Sequence, residues 1–249
     1  MKPGPGSWRQ SILTPLQVVI TLGLYLEASI LFGLAAFPAI AFWRWVDQHL
    51  MAGGSFRILL LAIAAAAGYF IFGLALLFVL PAARWLTGAF GTPVGRFRYP
   101  SLLAWRWASY NALTLMLRFT FINWLRLTPL LTLYHRLMGM RLGARVQINT
   151  AVVADQNLIT IGDNTVIGGD VTLVAHSAER GYIVTAPIQI GARVTVGLMS
   201  VIFPGCVIGD DAVIAAGSVL SKDAKVGPGE IWVGVPARRV GSRRKRDRP

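Results

Sequence analysis

Two hydrophobic patterns divide this chain. Up to about residue 141 apolar residues come in long runs, and from residue 142 they recur at every sixth position. Ile58 to Leu80 is 23 residues without a charge, and Leu16 to Trp43 is broken only by Glu27. At 1.5 Å per residue each run can cross about 30 Å of hydrocarbon. The pattern predicts two transmembrane helices, about 12–43 and 57–81, within residues 1–100, flanked by Trp43, Trp45 and Trp85 as interfacial aromatics. A buried helical hairpin in a soluble core is the other reading. Glu27 falls near the middle of the first run, where a carboxylate is costly and calls for a partner or a function. Residues 101–141 differ: Arg106, Arg118, Arg126 and Arg136 recur among Trp, Phe and Leu. That mixture predicts amphipathic helices at a bilayer interface, with Pro129 dividing them, or alternatively a third span.

The second pattern is sharper. Ile190, Val196, Ile202, Ile208, Ile214, Leu220 and Val226 are spaced by six, and all are aliphatic. The next residues are mostly small: Gly191, Gly197, Phe203, Gly209, Ala215, Ser221, Gly227. The phase extends upstream through Leu173, Ile167 and Ile161, and with a shift of one through Ala154, Ile148 and Leu142. An α-helix needs spacings of three and four and a simple strand needs two. A period of six predicts a solenoid of short strands, one aliphatic per strand stacked on its equivalents. The small neighbours would let the backbone turn each corner. This parallel β-helix is expected over residues 142–237, followed by a basic tail at 238–249.

Charge sharpens the division. The chain carries 24 Lys+Arg against 11 Asp+Glu, a net +13, and only 14% of residues are charged. Residues 1–141 hold 12 of the bases and two acids, Glu27 and Asp47. Basic residues after the second run and at the N-terminus predict a multi-pass inner-membrane protein with both termini and the β-helix cytoplasmic. Nucleic acid is not an expected partner, because the arginines are interleaved with bulky apolar side chains. The basic tail Arg243–Arg248 suits anionic lipid. The single cysteine, Cys206, excludes a disulfide framework and a cysteine-type zinc site, and it falls at a small, inward position of the repeat.

The text from Pro187 to Val240, with PIQIGARVTVGLMSVIFPGCVIGDDAVIAAGSVLSKD and WVGVPARRV, resembles the hexapeptide-repeat acyltransferases such as galactoside, maltose and serine acetyltransferases. The resemblance covers about residues 140–240. It implies a left-handed β-helix, a homotrimer with active sites between subunits, and acyl transfer from acetyl-CoA or another acyl-CoA without a metal.

The period fails once, in VAHSAERGYIVTAP after Leu173, and resumes by Ile190. A loop held at both ends by rigid coils is a place for chemistry. It contains His176, the only histidine after residue 135. Acyl transfer needs a base for the attacking hydroxyl or amine, and neutral imidazole suits that task. The resemblance likewise places the general base at His176. Asp155 and Glu179 are candidates to orient His176 or to bind the acceptor, and Asn157 to bind the acceptor. For the donor, the resemblance implies Gly197, Ala215 and Ala216 along the pantetheine arm, with Ser221, Lys222 and Arg238 toward the phosphates.

The expected function is a membrane-anchored acyltransferase acetylating a hydroxyl on a glycan or lipid-linked acceptor. Acylation of an amine and a non-catalytic trimeric scaffold for membrane partners are the alternatives. A β-helical carbonic anhydrase is excluded, since it needs three histidine ligands and residues 142–249 hold one.

Overall fold

A computed structural model describes residues 7–51, 53–86, 90–99 and 101–242. Lys2 and Arg243–Arg248 lie outside the described residues. The chain divides into two compact units, Met1–Ala83 and Arg84–Pro249.

The first unit is built from helix α1 (Ser7–His49) and most of α2 (Gly54–Leu86). The Arg57 guanidinium meets Asp47 at 2.5 Å across the turn, and the Phe32 and Phe72 rings stand 5.9 Å apart. Gln17–His49 and Gly54–Leu86 are long and apolar enough to cross a membrane, on length and composition alone. They are the only such helices among the described residues. The larger unit is a β-helix with its own core instead of further spans. The expected location, a multi-pass inner-membrane protein of fixed orientation, is therefore overturned. A run of apolar residues satisfies the length criterion whether or not lipid surrounds it, so the inference from hydropathy to compartment was too long.

The second unit opens with strand β1 (Gly95–Arg98) and helix α3 (Leu102–Thr120), capped by the Ser101 hydroxyl accepting from the Ala104 amide at 3.2 Å. A 3₁₀ turn (Ile122–Trp124) leads to α4 (Pro129–Leu137), where Pro129 occupies the first turn and costs no hydrogen bond. The packed face of α3 includes Tyr110, Leu113 and Leu117, all fully buried. These helices lie over the first coil: the Leu127 amide donates to the Ile148 carbonyl, and Arg126 reaches Asn149 and Asp170.

Five coils follow. They comprise β2 (Arg141–Leu142), β3 (Gln147–Ile148) and β4 (Val153–Ala154), then β5 (Ile159–Ile161), β6 (Val166–Ile167) and β7 (Thr172–Val174). An antiparallel hairpin, β8 (His176–Glu179) and β9 (Tyr182–Thr185), interrupts the winding. The coils resume with β10 (Ile188–Ile190), β11 (Thr195–Val196) and β12 (Val201–Ile202), and continue with β13 (Val207–Ile208), β14 (Val213–Ile214) and β15 (Val219–Leu220). The last coil holds β16 (Lys225–Val226) and β17 (Glu230–Gly234), on which β18 (Ala237–Ser242) folds back antiparallel.

Three parallel ladders form the faces of this left-handed prism. Their registers stack Leu142, Ile161, Ile190, Ile208 and Val226 on one face, and Ile148, Ile167, Val196, Ile214 and Trp232 on the second. On the third, Val153, Leu173, Ile202 and Leu220 are stacked. The six-residue period is thus one aliphatic per face, each worth about 1.5–3 kcal/mol when fully removed from water.

Two details differ from expectation. Val153, buried, fills the column in place of Ala154, because the first coil is one residue short between Ile148 and Val153. The corners are not turned by the glycines that follow the aliphatics. The left-handed backbone falls three residues after each aliphatic, at Arg193, Met199, Gly205, Asp211, Gly217, Asp223 and Gly229. The glycines answer instead to coil spacing: a Cβ on Gly191 or Gly209 would lie 2.7 Å from the backbone nitrogen of Asp210 or Pro228.

Candidate active site

Two irregularities in the winding build the site, and both fall at the same corner of the prism. From Ile202 to Ile208 the chain needs six positions to pass from the third face to the first. From Val153 to Ile161 it takes eight, and from Leu173 to Ile190 seventeen. The small surplus puts Asp155 in a left-handed conformation, φ 58°, at the head of a short 3₁₀ turn. The large surplus becomes the β8–β9 hairpin in the next coil. Stacking the two corners brings Asp155 and His176 together.

The geometry is close. His176 Nδ1 donates to Asp155 Oδ2 at 2.6 Å, with the carboxylate fully buried and the imidazole 26% exposed. The other carboxylate oxygen accepts from the Thr92 hydroxyl at 2.7 Å and from Asn111 Nδ2 at 3.0 Å. Burial alone would push the Asp155 pKa up. The hydrogen bond and charge of His176, then the bonds from Asn111 and Thr92, outweigh it and leave the carboxyl below its ordinary range. With Nδ1–H committed to an ionised Asp155, the free lone pair of the ring is on Nε2. Trp107 meets the imidazole edge-on, ring centroids 4.9 Å apart.

The hairpin that carries His176 is a three-stranded sheet, because β1 pairs with β9 antiparallel from Gly95↔Thr185 to Arg98↔Tyr182. Thr185, opposite His176 in register, donates its hydroxyl to the Pro93 carbonyl at 2.6 Å and accepts from the Gly95 amide at 3.0 Å. Phe97 and Ile183 on the inner face pack with Ala104 and Trp107 of α3. A cleft of about 560 Å³ opens beside His176, lined also by Tyr99, Trp107, Glu179, Tyr182 and Phe203.

The other predicted residues fall in different places. Glu179 lines the cleft but does not bond His176. It accepts from Ser177 at 2.9 Å and pairs with Lys222, and these contacts hold its carboxyl below the usual range. Lys222, assigned to a phosphate, is therefore engaged by that carboxylate. Asn157 is spent on the backbone: its Oδ1 accepts from the Thr92 amide and its Nδ2 donates to the Thr92 carbonyl, both at 2.9 Å. It does not line the cleft. Gly197 lies against Ala215 and Ala216 of the next coil, too near for a side chain. Ser221 accepts the Cys206 thiol on its carbonyl at 3.2 Å, and burial pushes that thiol up to about 11. Arg238 lies on β18, its guanidinium donating to the Ala237 carbonyl at 3.0 Å. Among the described residues no group of three or more His, Cys, Asp or Glu is placed to hold a metal.

Thr92, Asn111 and Trp107 escaped sequence reasoning. Lone polar residues carry no periodic signal.

The family description "Hexapeptide repeat of succinyl-transferase" matches residues 187–222. Together with the fold, this makes the β-helical part of the chain similar to the hexapeptide-repeat acetyltransferases. Galactoside O-acetyltransferase of Escherichia coli is 39% identical over 103 residues, covering 39% of this chain and 50% of the relative. Delta-poly-L-ornithine synthetase of Acinetobacter baumannii is 26% identical over 223 residues, which cover 90% of this chain and 16% of that protein. A solved hexapeptide-repeat acetyltransferase from Vibrio cholerae, complexed with acetyl coenzyme A, is 32% identical over 43% of this chain and 62% of its own, with a TM-score of 0.40. The chain spans about half the length of galactoside O-acetyltransferase and less of the synthetase.

Proposed function

We propose that the β-helical unit is an acetyl-CoA-dependent acetyltransferase acting on a hydroxyl of a glycan-like acceptor, with His176 as general base. The observation that carries this reading is the Asp155–His176 pair, whose imidazole lines a cleft on a hexapeptide-repeat scaffold. In the step envisaged, His176 Nε2 takes the acceptor proton as the acceptor oxygen attacks the thioester carbonyl. The tetrahedral intermediate collapses, the C–S bond breaks, and the imidazolium returns the proton to the departing thiolate. Asp155 holds the ring in the required tautomer and stabilises its charged form.

The donor arm is assigned to the coil edges around Gly197, Ala215 and Ala216, with Ser221, Lys222 and Arg238 toward its phosphates. Assembly as a homotrimer, with clefts between subunits, belongs to the same reading. So does attachment to lipid: α3 and the segment joining it to α4 leave Leu102, Phe119, Trp124 and Leu127 exposed, and α1 and α2 each hold a long apolar run. A lipid-linked acceptor would fit that arrangement. A second reading, acylation of an amine, is favoured by one observation: the similarity to delta-poly-L-ornithine synthetase extends over both units of this chain.

The test is thiol release from acetyl-CoA in the presence of a panel of glycosides and of amines. His176→Ala is expected to lower turnover by about 10²–10⁴-fold while coenzyme A binding, read by calorimetry, is retained. Residual activity above about a tenth would remove His176 from the role of base. A wild-type protein that neither binds coenzyme A nor releases thiol would point to the scaffold.

A further inference from the structure

The aspartate that grips His176 is itself gripped from outside the β-helix. Its Oδ1 receives two donors, Thr92 from the segment before β1 and Asn111 from α3. Both donors are fixed in turn. One N–H of the Asn111 amide goes to the Trp107 carbonyl one helical turn back, at 3.0 Å, so the other is aimed at Asp155. Thr92 is clamped through its own backbone amide and carbonyl by Asn157, two residues beyond Asp155. The same helix presses Trp107 against the His176 ring. Closer to the corner, Thr114 of α3 donates to Gln156 Oε1 at 3.0 Å, and the Tyr110 hydroxyl accepts from the Asn157 amide at 3.2 Å. Packing alone would be served by apolar groups here. Two oriented donors converging on one buried carboxylate oxygen serve a charge.

We propose that Thr92 and Asn111 are positioning residues that hold the Asp155 carboxylate in line with His176, so that α3 and the segment before β1 are parts of the active site. This rests on the reading of His176 as the base. The repeat supplies the acid and the imidazole, and the upstream segment sets the strength and direction of the bond between them.

The experiment uses the full chain with Asn111→Leu, Thr92→Val and Thr92→Ser, the last retaining the hydroxyl. Steady-state turnover on acetyl-CoA is followed across pH, and the His176 Nδ1–H resonance is followed in histidine-labelled protein. Asn111→Leu and Thr92→Val are each expected to lower kcat about 5- to 50-fold, with KM for acetyl-CoA within about twofold. Thr92→Ser should recover most of the loss. A carboxylate stripped of these donors keeps more charge for the imidazolium, so the acidic limb of the pH profile should move to higher pH. The Nδ1–H resonance should move in the same two variants and not in Thr92→Ser. A general loosening of the fold would lower activity without shifting the limb or discriminating serine from valine. An unchanged resonance and an unchanged limb in both Asn111→Leu and Thr92→Val overturn the proposal, whatever happens to the rate. Failure of the base reading shows separately, as an active His176→Ala protein, because the resonance reports the Asp155 contact without any turnover.

Discussion

Replacing Asp155 by Asn changes one atom and offers the site two arrangements, of which the surroundings select one. The carboxylate accepts three hydrogen bonds, from His176, Thr92 and Asn111. An amide can accept on only one side. If its NH₂ faced Thr92 and Asn111, it would oppose the Asn111 N–H, which cannot turn away because its amide is tied to the Trp107 carbonyl. The Thr92 hydroxyl can rotate; the Asn111 amide cannot. The oxygen must therefore occupy the Oδ1 position, and the NH₂ must point at His176 Nδ1. The ring then accepts at Nδ1 and carries its proton on Nε2, the nitrogen needed as base. A base in the wrong tautomer is nearly no base, so Asp155→Asn should cost about 10²–10⁴-fold in kcat, or roughly 2.7–5.5 kcal/mol of transition-state stabilisation. Stability should change far less, since the variant buries no charge and keeps all three contacts, the one to His176 with its direction reversed. The assay is thiol release from acetyl-CoA, with the His176 tautomer read from its ring nitrogen resonances. Turnover within tenfold of the parent, or an unchanged tautomer, would refute the reasoning.

Other outcomes follow from buried groups away from the dyad. His135 is fully buried, and desolvation lowers its pKa to about 4. Below about 6.5 the unfolded chain binds a proton that the native state refuses, so stability is full above that pH and falls by roughly 3 kcal/mol toward pH 4. His135→Leu should flatten this part of a urea-denaturation profile, and an unaltered slope would count against it. Gly197→Ala forces a methyl group against the Ala216 backbone and should destabilise by about 1–3 kcal/mol, read as a fall in the urea midpoint. An alanine at Gly241, with open space around it, should be nearly neutral in the same assay.

How far the chain can be read without its structure depends on whether information is local or stacked. The columns from Ile190 to Val226 were legible because every coil repeats one constraint, an aliphatic that must leave water. The interruption holding His176 was legible for the same reason, as a break in a rule. The one-residue shortage before Val153 was missed because Val153 and Ala154 both fit an inward position, and only the ladder decides between them. The corner residues left no trace either: Arg193 and Met199 adopt a backbone their side chains do not advertise. The sheet made by β1 with β8 and β9 joins segments far apart in the chain, and no periodicity connects them. The mixture of arginines and apolar residues over 101–141 was plain, but not that Asn111 and Thr114 of α3, and Arg126 in the connection to α4, would bond the first two coils.

Any stack of identical coils faces a difficulty at its ends, where unsatisfied strand edges invite another copy to continue the stack. Here the first coil is roofed by α3 and α4, and the last turns back on itself as β18, which carries Arg238 and Arg239 along its outer edge. Beside it β16 is only two residues long and presents Lys225. Growth along the axis into a fibre is thereby discouraged at both ends. The flanks of the prism, where the corner cleft opens, carry no such block.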